Sequence, residues 1–272
     1  QKKRETKSIH ENSTVKFGAE SNFATREAFN LLRTNLFFSF PEKQDGKGRM
    51  IGITSAVSGD GKTSVSINLS YSLAEVGNKV LLIEGDMRKP TIAKYLGFEQ
   101  VTGLSNFLTG NEKTVIHKNV LHENMDVIFA GDIPLDPTIL LDSEKMMKAL
   151  ELLSGSFDYI IIDLPPVAPV PDAAIMAKYL DGMLFVVRHG YTRKRDVMDA
   201  FRQLKYTKVR MLGFVYNDYA GDQIGIIIRN METITGRMTN AMRKILLLCT
   251  GICLALALTS CGKQAPSGGS ST

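Results

Sequence analysis

Residues 50 to 64 read Met-Ile-Gly-Ile-Thr-Ser-Ala-Val-Ser-Gly-Asp-Gly-Lys-Thr-Ser, an apolar run followed by a turn of small residues that closes on a lysine and a hydroxyl. When such a turn lies between a strand and a helix, its backbone N–H groups point inward around phosphate oxygens. The helix N-terminus adds its positive end. Ser58, Gly59, Asp60, Gly61, Lys62, Thr63 and Ser64 therefore form a candidate nucleotide cradle, in which Lys62 reaches the β- and γ-phosphates and Thr63 offers its hydroxyl to Mg²⁺. Ala56 stands where this loop usually opens on glycine, a tolerable change where φ is negative.

Two further apolar runs end in acids: Leu81-Leu82-Ile83-Glu84-Gly85-Asp86-Met87-Arg88 and Ile160-Ile161-Ile162-Asp163-Leu164-Pro165-Pro166. Carboxylates at strand C-termini of a parallel sheet converge on the crevice where ligands bind. Glu84, Asp86 and Asp163 are accordingly expected to face the phosphates and, with Thr63, to offer oxygen ligands to Mg²⁺.

The elements that must position these groups follow from periodicity. MIGITS, KVLLIE, DVIFAG, DYIIID, GMLFVV and VRMLGFVYN are short runs apolar enough for strands covered on both faces. Amphipathic stretches separate them: 63–76, 172–180 and 193–206. This order predicts an α/β fold with a doubly wound, mostly parallel sheet and helices on both faces. Ahead of it, 24–40 has helical apolar spacing and stops at Pro41. Residues 1–23 are polar and unpatterned and are expected to be a flexible lead-in; 24–240 is the expected domain.

Composition sets outer limits. The chain has 272 residues, 44% apolar and 22% charged, with 9 prolines and no tryptophan, which excludes collagen, disorder and a bundle of membrane spans. Thirty-three Lys and Arg against 28 Asp and Glu give a net charge of +5, too mild to choose among nucleic acid, lipid and phosphate partners. The basic residues Arg188, Arg193, Lys194, Arg195, Arg202, Lys205, Lys208 and Arg210 lack interleaved aromatics, so they are expected to be a solvated helix face, with no nucleic-acid role. His117 and His122 have no third ligand nearby in sequence and are expected to be ordinary surface histidines.

The three cysteines, Cys249, Cys253 and Cys261, lie near the C-terminus, so the body has no disulfide and reads as cytoplasmic. Residues 241–272 look like a second beginning. Met242-Arg243-Lys244 precedes an apolar run from Ile245 to Leu258, then Leu-Thr-Ser-Cys261, the parts of a lipoprotein export signal. The run is short for a bilayer span of about 20 residues. A fusion of reading frames, or an artefact of joining, is the expected origin; a buried or interfacial helix is the alternative. Because the sequence starts at Gln1 and not at methionine, the natural N-terminus is expected upstream, with room there for a membrane-spanning partner segment.

The three motifs together, in this order, resemble those of the bacterial tyrosine kinases that regulate capsule and exopolysaccharide synthesis. EAFNLLRTNL resembles the helix ahead of that family's kinase domain, AGDIPLDPTILLDS its Pro/Leu-rich loop, and GFVYND its late strand and turn. The resemblance implies ATP- and Mg²⁺-dependent (auto)phosphorylation on tyrosine, with Lys62 and Thr63 at the phosphate and metal positions, Asp163 as the second metal acid, and Glu84 or Asp86 as base. It gives Arg88 the role of neutralising developing charge or pairing with the acids, a surface arginine being the plain alternative, and Asn217 a place in nucleotide binding. It further implies docking at the inner face of the plasma membrane on the cytosolic end of a polysaccharide chain-length protein, and self-association through a pattern that Glu27 and Arg33 match. Glu84 stands where the family more often has Asp, Leu164 where it has Thr, and Asn30 where it has Arg. The family's C-terminal tyrosine cluster is represented only by Tyr216 and Tyr219, of which Tyr219 is the more accessible candidate acceptor. Two alternatives share the scaffold. A MinD/ParA-type ATPase carries a lysine five residues before the P-loop lysine, where this chain has Val57; the other is a nucleotide-binding regulator without kinase activity.

Overall fold

The computed structural model describes residues 18–40 and 46–218. Tyr219, the segment up to 240 and the signal-like tail lie outside the described residues. In chain order the elements are α1 (Phe23–Ser39), β1 (Arg49–Ser55), α2 (Lys62–Glu75), β2 (Val80–Glu84), α3 (Ile92–Tyr95), α4 (Leu104–Thr109), β3 (Met125–Ile128), α5 (Pro137–Leu141), α6 (Glu144–Ser154), β4 (Tyr159–Asp163), α7 (Asp172–Met176), β5 (Gly182–Arg188), α8 (Lys194–Leu204) and β6 (Met211–Asn217).

All six strands are parallel, in the spatial order β3-β2-β4-β1-β5-β6. The strands nearest the middle are apolar on both faces because both faces are covered. On one face Ile51, Ile53, Leu82, Ile161, Leu184 and Val186 join a core with Leu69 and Leu73 of α2 and Leu32 and Leu36 of α1. On the other, Phe185 meets Phe201 of α8, ring centroids 4.8 Å apart, and Gly52 lies so close to Leu180 that an added Cβ would stand 2.5 Å from it. The expected doubly wound α/β sheet with helices on both faces is thus what forms.

Local chemistry shifts several boundaries. The expected lead-in ends earlier than residue 23: Gly18–Glu20 form a 3₁₀ turn, the Gly18 N–H donates to Asn68 of α2, and Asn22 caps α1 through the Thr25 amide. The DVIFAG strand stops at Ile128, because the carbonyls of Phe129 and Ala130 accept from the amides of Leu104 and Ser105 at the start of α4. The Pro/Leu-rich segment contains α5, with Asp136 capping through Thr138 and Pro137 in the first turn.

Helix α1 is fastened at two points. Arg33 donates through Nη1 to the Ser72 carbonyl at 2.6 Å and the Ser72 hydroxyl at 2.8 Å, near the end of α2. Arg49 and Arg210 lie over the Phe40 ring, 4.8 and 5.6 Å from its centroid, and Arg210 also donates to the Ser39 carbonyl at 2.6 Å. Arg33, expected to serve self-association, therefore turns into its own domain. The residues Phe23, Leu31 and Phe38 remain exposed along α1. On α8 the basic run is largely paired: Arg193 with Asp196, and Arg195 and Arg202 with Asp199. His117 packs its ring 4.8 Å from Phe129, and His122 meets Tyr71 edge-on at 5.8 Å.

Candidate active site

Strand β1 delivers the loop Ala56–Gly61 to the C-terminal edge of the sheet, and α2 starts at Lys62. Gly59 and Gly61 both have φ of +91°, a left-handed conformation that side chains resist. At Gly61 a Cβ would also stand 2.0 Å from the Asn217 amide nitrogen. Strand β4 ends beside β1, and the turn after it is fastened there: Leu164 and Val167 donate to the Ile53 and Ser55 carbonyls, and Thr54 donates to the Pro165 carbonyl at 2.7 Å.

Four expected residues meet in one buried cluster. The Lys62 ammonium donates to Asp86 Oδ2 at 2.9 Å and lies 4.0 Å from Asp163 Oδ2. Thr63 donates its hydroxyl to the same Asp163 oxygen at 2.7 Å. Ser66, which lies three positions after Thr63 and so on the same helix face, adds its hydroxyl to Asp163 Oδ1 at 3.1 Å. That spacing was legible in the sequence and Ser66 was missed. Burial alone would push Lys62 down, but the Asp163 and Asp86 carboxylates outweigh it and hold the ammonium above its ordinary value. Burial pushes Asp163 up, with Lys62 and the Thr63 hydroxyl pulling against it.

Glu84, expected to serve the metal or to act as base, has both carboxylate oxygens engaged by backbone amides. Its Oε1 accepts from the backbone amides of Thr91 and Ile92, the latter at 2.6 Å, and its Oε2 from the Ala130 amide at 3.1 Å. The carboxylate caps α3 and ties β2 to the end of β3. Burial pushes its pKa up while the three amides pull it down. The extra methylene relative to Asp provides this reach. Thr91, so held, donates its hydroxyl to the Thr63 hydroxyl at 3.3 Å, which links Glu84 to the cluster indirectly. Gly85 lies between the two acids and lets β2 approach β4, where its amide donates to the Asp163 carbonyl at 2.8 Å.

Arg88, expected to neutralise charge or pair with the acids, is paired with an acid from another segment. Its guanidinium forks onto Asp172 at the start of α7, Nε to Oδ2 at 2.8 Å and Nη2 to Oδ1 at 3.0 Å, and it donates to Thr138 of α5. Asp172 is sealed from solvent, and the hydrogen bond to it holds the arginine above its ordinary value. Arg88 thus braces α5 against α7. Neither Asp172 nor Thr138 carried a sequence signal for this, because the contact joins segments 84 and 50 residues away.

The Asp60 side chain turns away from the phosphate side. One oxygen accepts from the Val57 amide at 3.2 Å and the other from the Thr192 hydroxyl at 2.5 Å, so the residue fixes the loop's shape. Burial pushes Asp60 up, with the Thr192 bond opposing it. The outer, carbonyl side of the loop wears a collar from the end of β5 and β6. Asn217 donates to the Asp60 carbonyl at 2.9 Å, Tyr191 to the Ser58 carbonyl at 3.1 Å, and Arg188 to the Gly59 carbonyl at 3.3 Å. Ser58 is exposed and Ser64 half-buried in the first turn of α2.

The donor set suits a magnesium nucleotide. Two left-handed glycines, a buried lysine and a hydroxyl paired with a carboxylate supply amides and ammonium for phosphates and oxygens for a hard cation. Among the described residues no helix is long and apolar enough to cross a membrane.

Known proteins resemble this chain in sequence and fold. The profile of the AAA domain family matches residues 48–179. The tyrosine-protein kinase CpsD of Streptococcus pneumoniae serotype 4 is 38% identical over 195 residues, 70% of this chain and 83% of that protein. The kinase domain of the Escherichia coli tyrosine kinase ETK superposes with a TM-score of 0.65 at 29% identity, over 72% of this chain and 78% of that one. The septum site-determining protein MinD of Pyrococcus horikoshii, complexed with Mg-ADP, gives a TM-score of 0.56 at 28% identity, over 69% and 77%.

Proposed function

The chain belongs to the family of bacterial tyrosine-protein kinases, and from that premise we propose that it moves the γ-phosphoryl group of ATP to tyrosine hydroxyls through Lys62, Thr63, Asp86 and Asp163. The observation that carries this division of labour is the Lys62 ammonium, 2.9 Å from Asp86 and 4.0 Å from Asp163. Phosphoryl transfer asks a protein mainly for positioning and charge neutralisation. The loop amides of 58–63 bind phosphate oxygens. Thr63 and Asp163, with help from Asp86, would hold Mg²⁺, which would supply neutralisation of the developing phosphoryl charge. Lys62 exchanges its bond to Asp86 for phosphate oxygens, and the released Asp86 oxygen takes the phenolic proton of the acceptor. Glu84 and Arg88 hold the frame of the site and do not touch the reacting atoms. Asn217 keeps the Gly61 turn closed beside the nucleotide.

The setting follows the resemblance: control of capsule or exopolysaccharide synthesis, at the inner face of the plasma membrane, docked on the cytosolic segment of a chain-length protein, with tyrosine-bearing proteins or a second copy as substrate. The exposed residues Leu31 and Phe38 of α1 are the surface offered for self-association. The full chain is incubated with labelled ATP and Mg²⁺, with and without that cytosolic segment. Phosphotyrosine that disappears in Lys62→Met supports the kinase. ATP hydrolysis with no phosphotyrosine favours a MinD-like ATPase, and nucleotide binding alone favours a regulator.

A further inference from the structure

Tyr191 occupies a position that neither the fold nor the transfer chemistry requires. Among the described tyrosines it and Tyr206 are the two open to solvent, 52% and 85% exposed. Tyr206 follows the end of α8; Tyr191 is bonded to the phosphate loop. Its hydroxyl donates to the Ser58 carbonyl at 3.1 Å, and its ring covers Gly59 so closely that a Cβ there would stand 3.1 Å from the phenolic oxygen. The Arg188 guanidinium lies 5.3 Å from the ring centroid. Its other contacts are the Gly59 carbonyl at 3.3 Å and Asp218 at 2.9 Å.

Resting on the kinase reading, we infer that Tyr191 is a phosphorylation site written by a second copy of the chain, and that phosphate there loosens the nucleotide cradle. The hydroxyl touches the carbonyl side of the loop, opposite the amides and Lys62 that serve the phosphates, so a copy's own γ-phosphate is on the wrong side. In the transfer, the phenolic oxygen of Tyr191 bonds to the γ-phosphorus held by another copy. The bond from that phosphorus to the departing ADP breaks, and the phenolic proton passes to Asp86 of the donor copy. Three consequences follow from the contacts. The modified oxygen has no proton to donate, so the Ser58 carbonyl faces phosphate oxygens that only accept. A charge of about −1.5 to −2 appears beside a loop that must hold a triphosphate. Arg188 meets a phosphate better suited to its fork than the Gly59 carbonyl, and leaves the loop. Phosphorylation at this position is therefore a brake that each round of transfer applies to the neighbouring copy.

The test mixes unlabelled active full chain with ¹⁵N-labelled Lys62→Met full chain in Mg–ATP, digests with trypsin, and follows the labelled peptide 189–193. Phosphate on that peptide is the expected result. In parallel, a fluorescent ADP analogue is titrated against autophosphorylated and phosphatase-treated active chain. Affinity about tenfold weaker in the phosphorylated form is expected, from added charge near the bound phosphates. Tyr191→Phe keeps the ring over Gly59 and should show no difference between the two treatments. Phosphate on other peptides, Tyr206 included, but none on 189–193 would overturn this proposal alone. So would a phosphorylated Tyr191 with unchanged affinity. Absence of phosphotyrosine from every peptide, with the cytosolic segment present, overturns the kinase reading and this proposal with it.

Discussion

Glu84 and Asp163 face each other in register at the ends of β2 and β4, both sealed from solvent, yet they keep different company. Asp163 is held by side chains: the hydroxyls of Thr63 and Ser66 and, at 4.0 Å, the Lys62 ammonium. Glu84 is held by three backbone amides. A side-chain partner can rotate away and let a metal or phosphate take its place. An amide in a helix turn or strand end has nowhere else to go without unfolding that turn. Asp86 and Asp60 are mixed cases: Asp86 accepts from the Lys62 ammonium and the Lys89 amide, and Asp60 from the Thr192 hydroxyl and the Val57 amide. On the kinase reading, Asp163, with exchangeable side-chain partners, is the acid available for chemistry, and Glu84, with fixed ones, builds the frame.

That contrast can be broken most directly at Asp163. Asp163→Asn is expected to lower phosphotyrosine formation about 10³-fold, roughly 4 kcal/mol of transition-state stabilisation, with no drop in melting temperature. Lys62→Met should match it in activity. A cooperative loss of fold in Asp163→Asn would place that acid with Glu84 instead. Next in size, Glu84→Ala strands three buried amides and should cost about 3 kcal/mol or more of stability by denaturant titration. Glu84→Gln keeps one acceptor oxygen and should retain activity within about tenfold, far above Asp163→Asn. A stable Glu84→Gln that is as dead as Asp163→Asn would return Glu84 to the metal.

Arg88→Gln is expected to cost about 2 kcal/mol, because a sealed Asp172 loses a charged fork. Nucleotide affinity should move little; a large affinity loss at unchanged stability would mean that Arg88 reaches the phosphates. The smallest effect is a dependence on pH. Asp163 is held above its ordinary 3.8, so the folded state keeps its proton longer than the unfolded chain. Its contribution is favourable below that value and is lost as pH rises through the folded pKa. Denaturant titrations from pH 4 upward should therefore show a shallower decline in Asp163→Asn than in the unchanged chain.

Much of this was legible in order along the chain. The strands announced themselves because β2, β4 and β5 are buried on both faces and must be apolar throughout, and Gly59 and Gly61 marked the turn that only glycine makes easily. The meeting of Lys62, Thr63, Asp86 and Asp163 followed from strand ends in a parallel sheet. What could not be read was each acid's partner. Glu84 and Asp86 are two residues apart and chemically alike, and only the fold brings the Ala130 amide, 46 residues on, to one of them. Arg88 likewise reads in the sequence as a charge neutraliser or a partner of the nearby acids, while its actual partner, Asp172, lies 84 residues on. The collar of Arg188, Tyr191 and Thr192 was hidden in a segment whose charge drew attention to solvent.

The clasp of Arg33 on Ser72 acquires a mechanical meaning when α2 is followed back to its start. The helix begins at Lys62, ten residues earlier, so about 15 Å of hydrogen-bonded rod separates the grip of α1 from the ammonium. The outer helix and the lysine are thereby attached near opposite ends of one hydrogen-bonded rod.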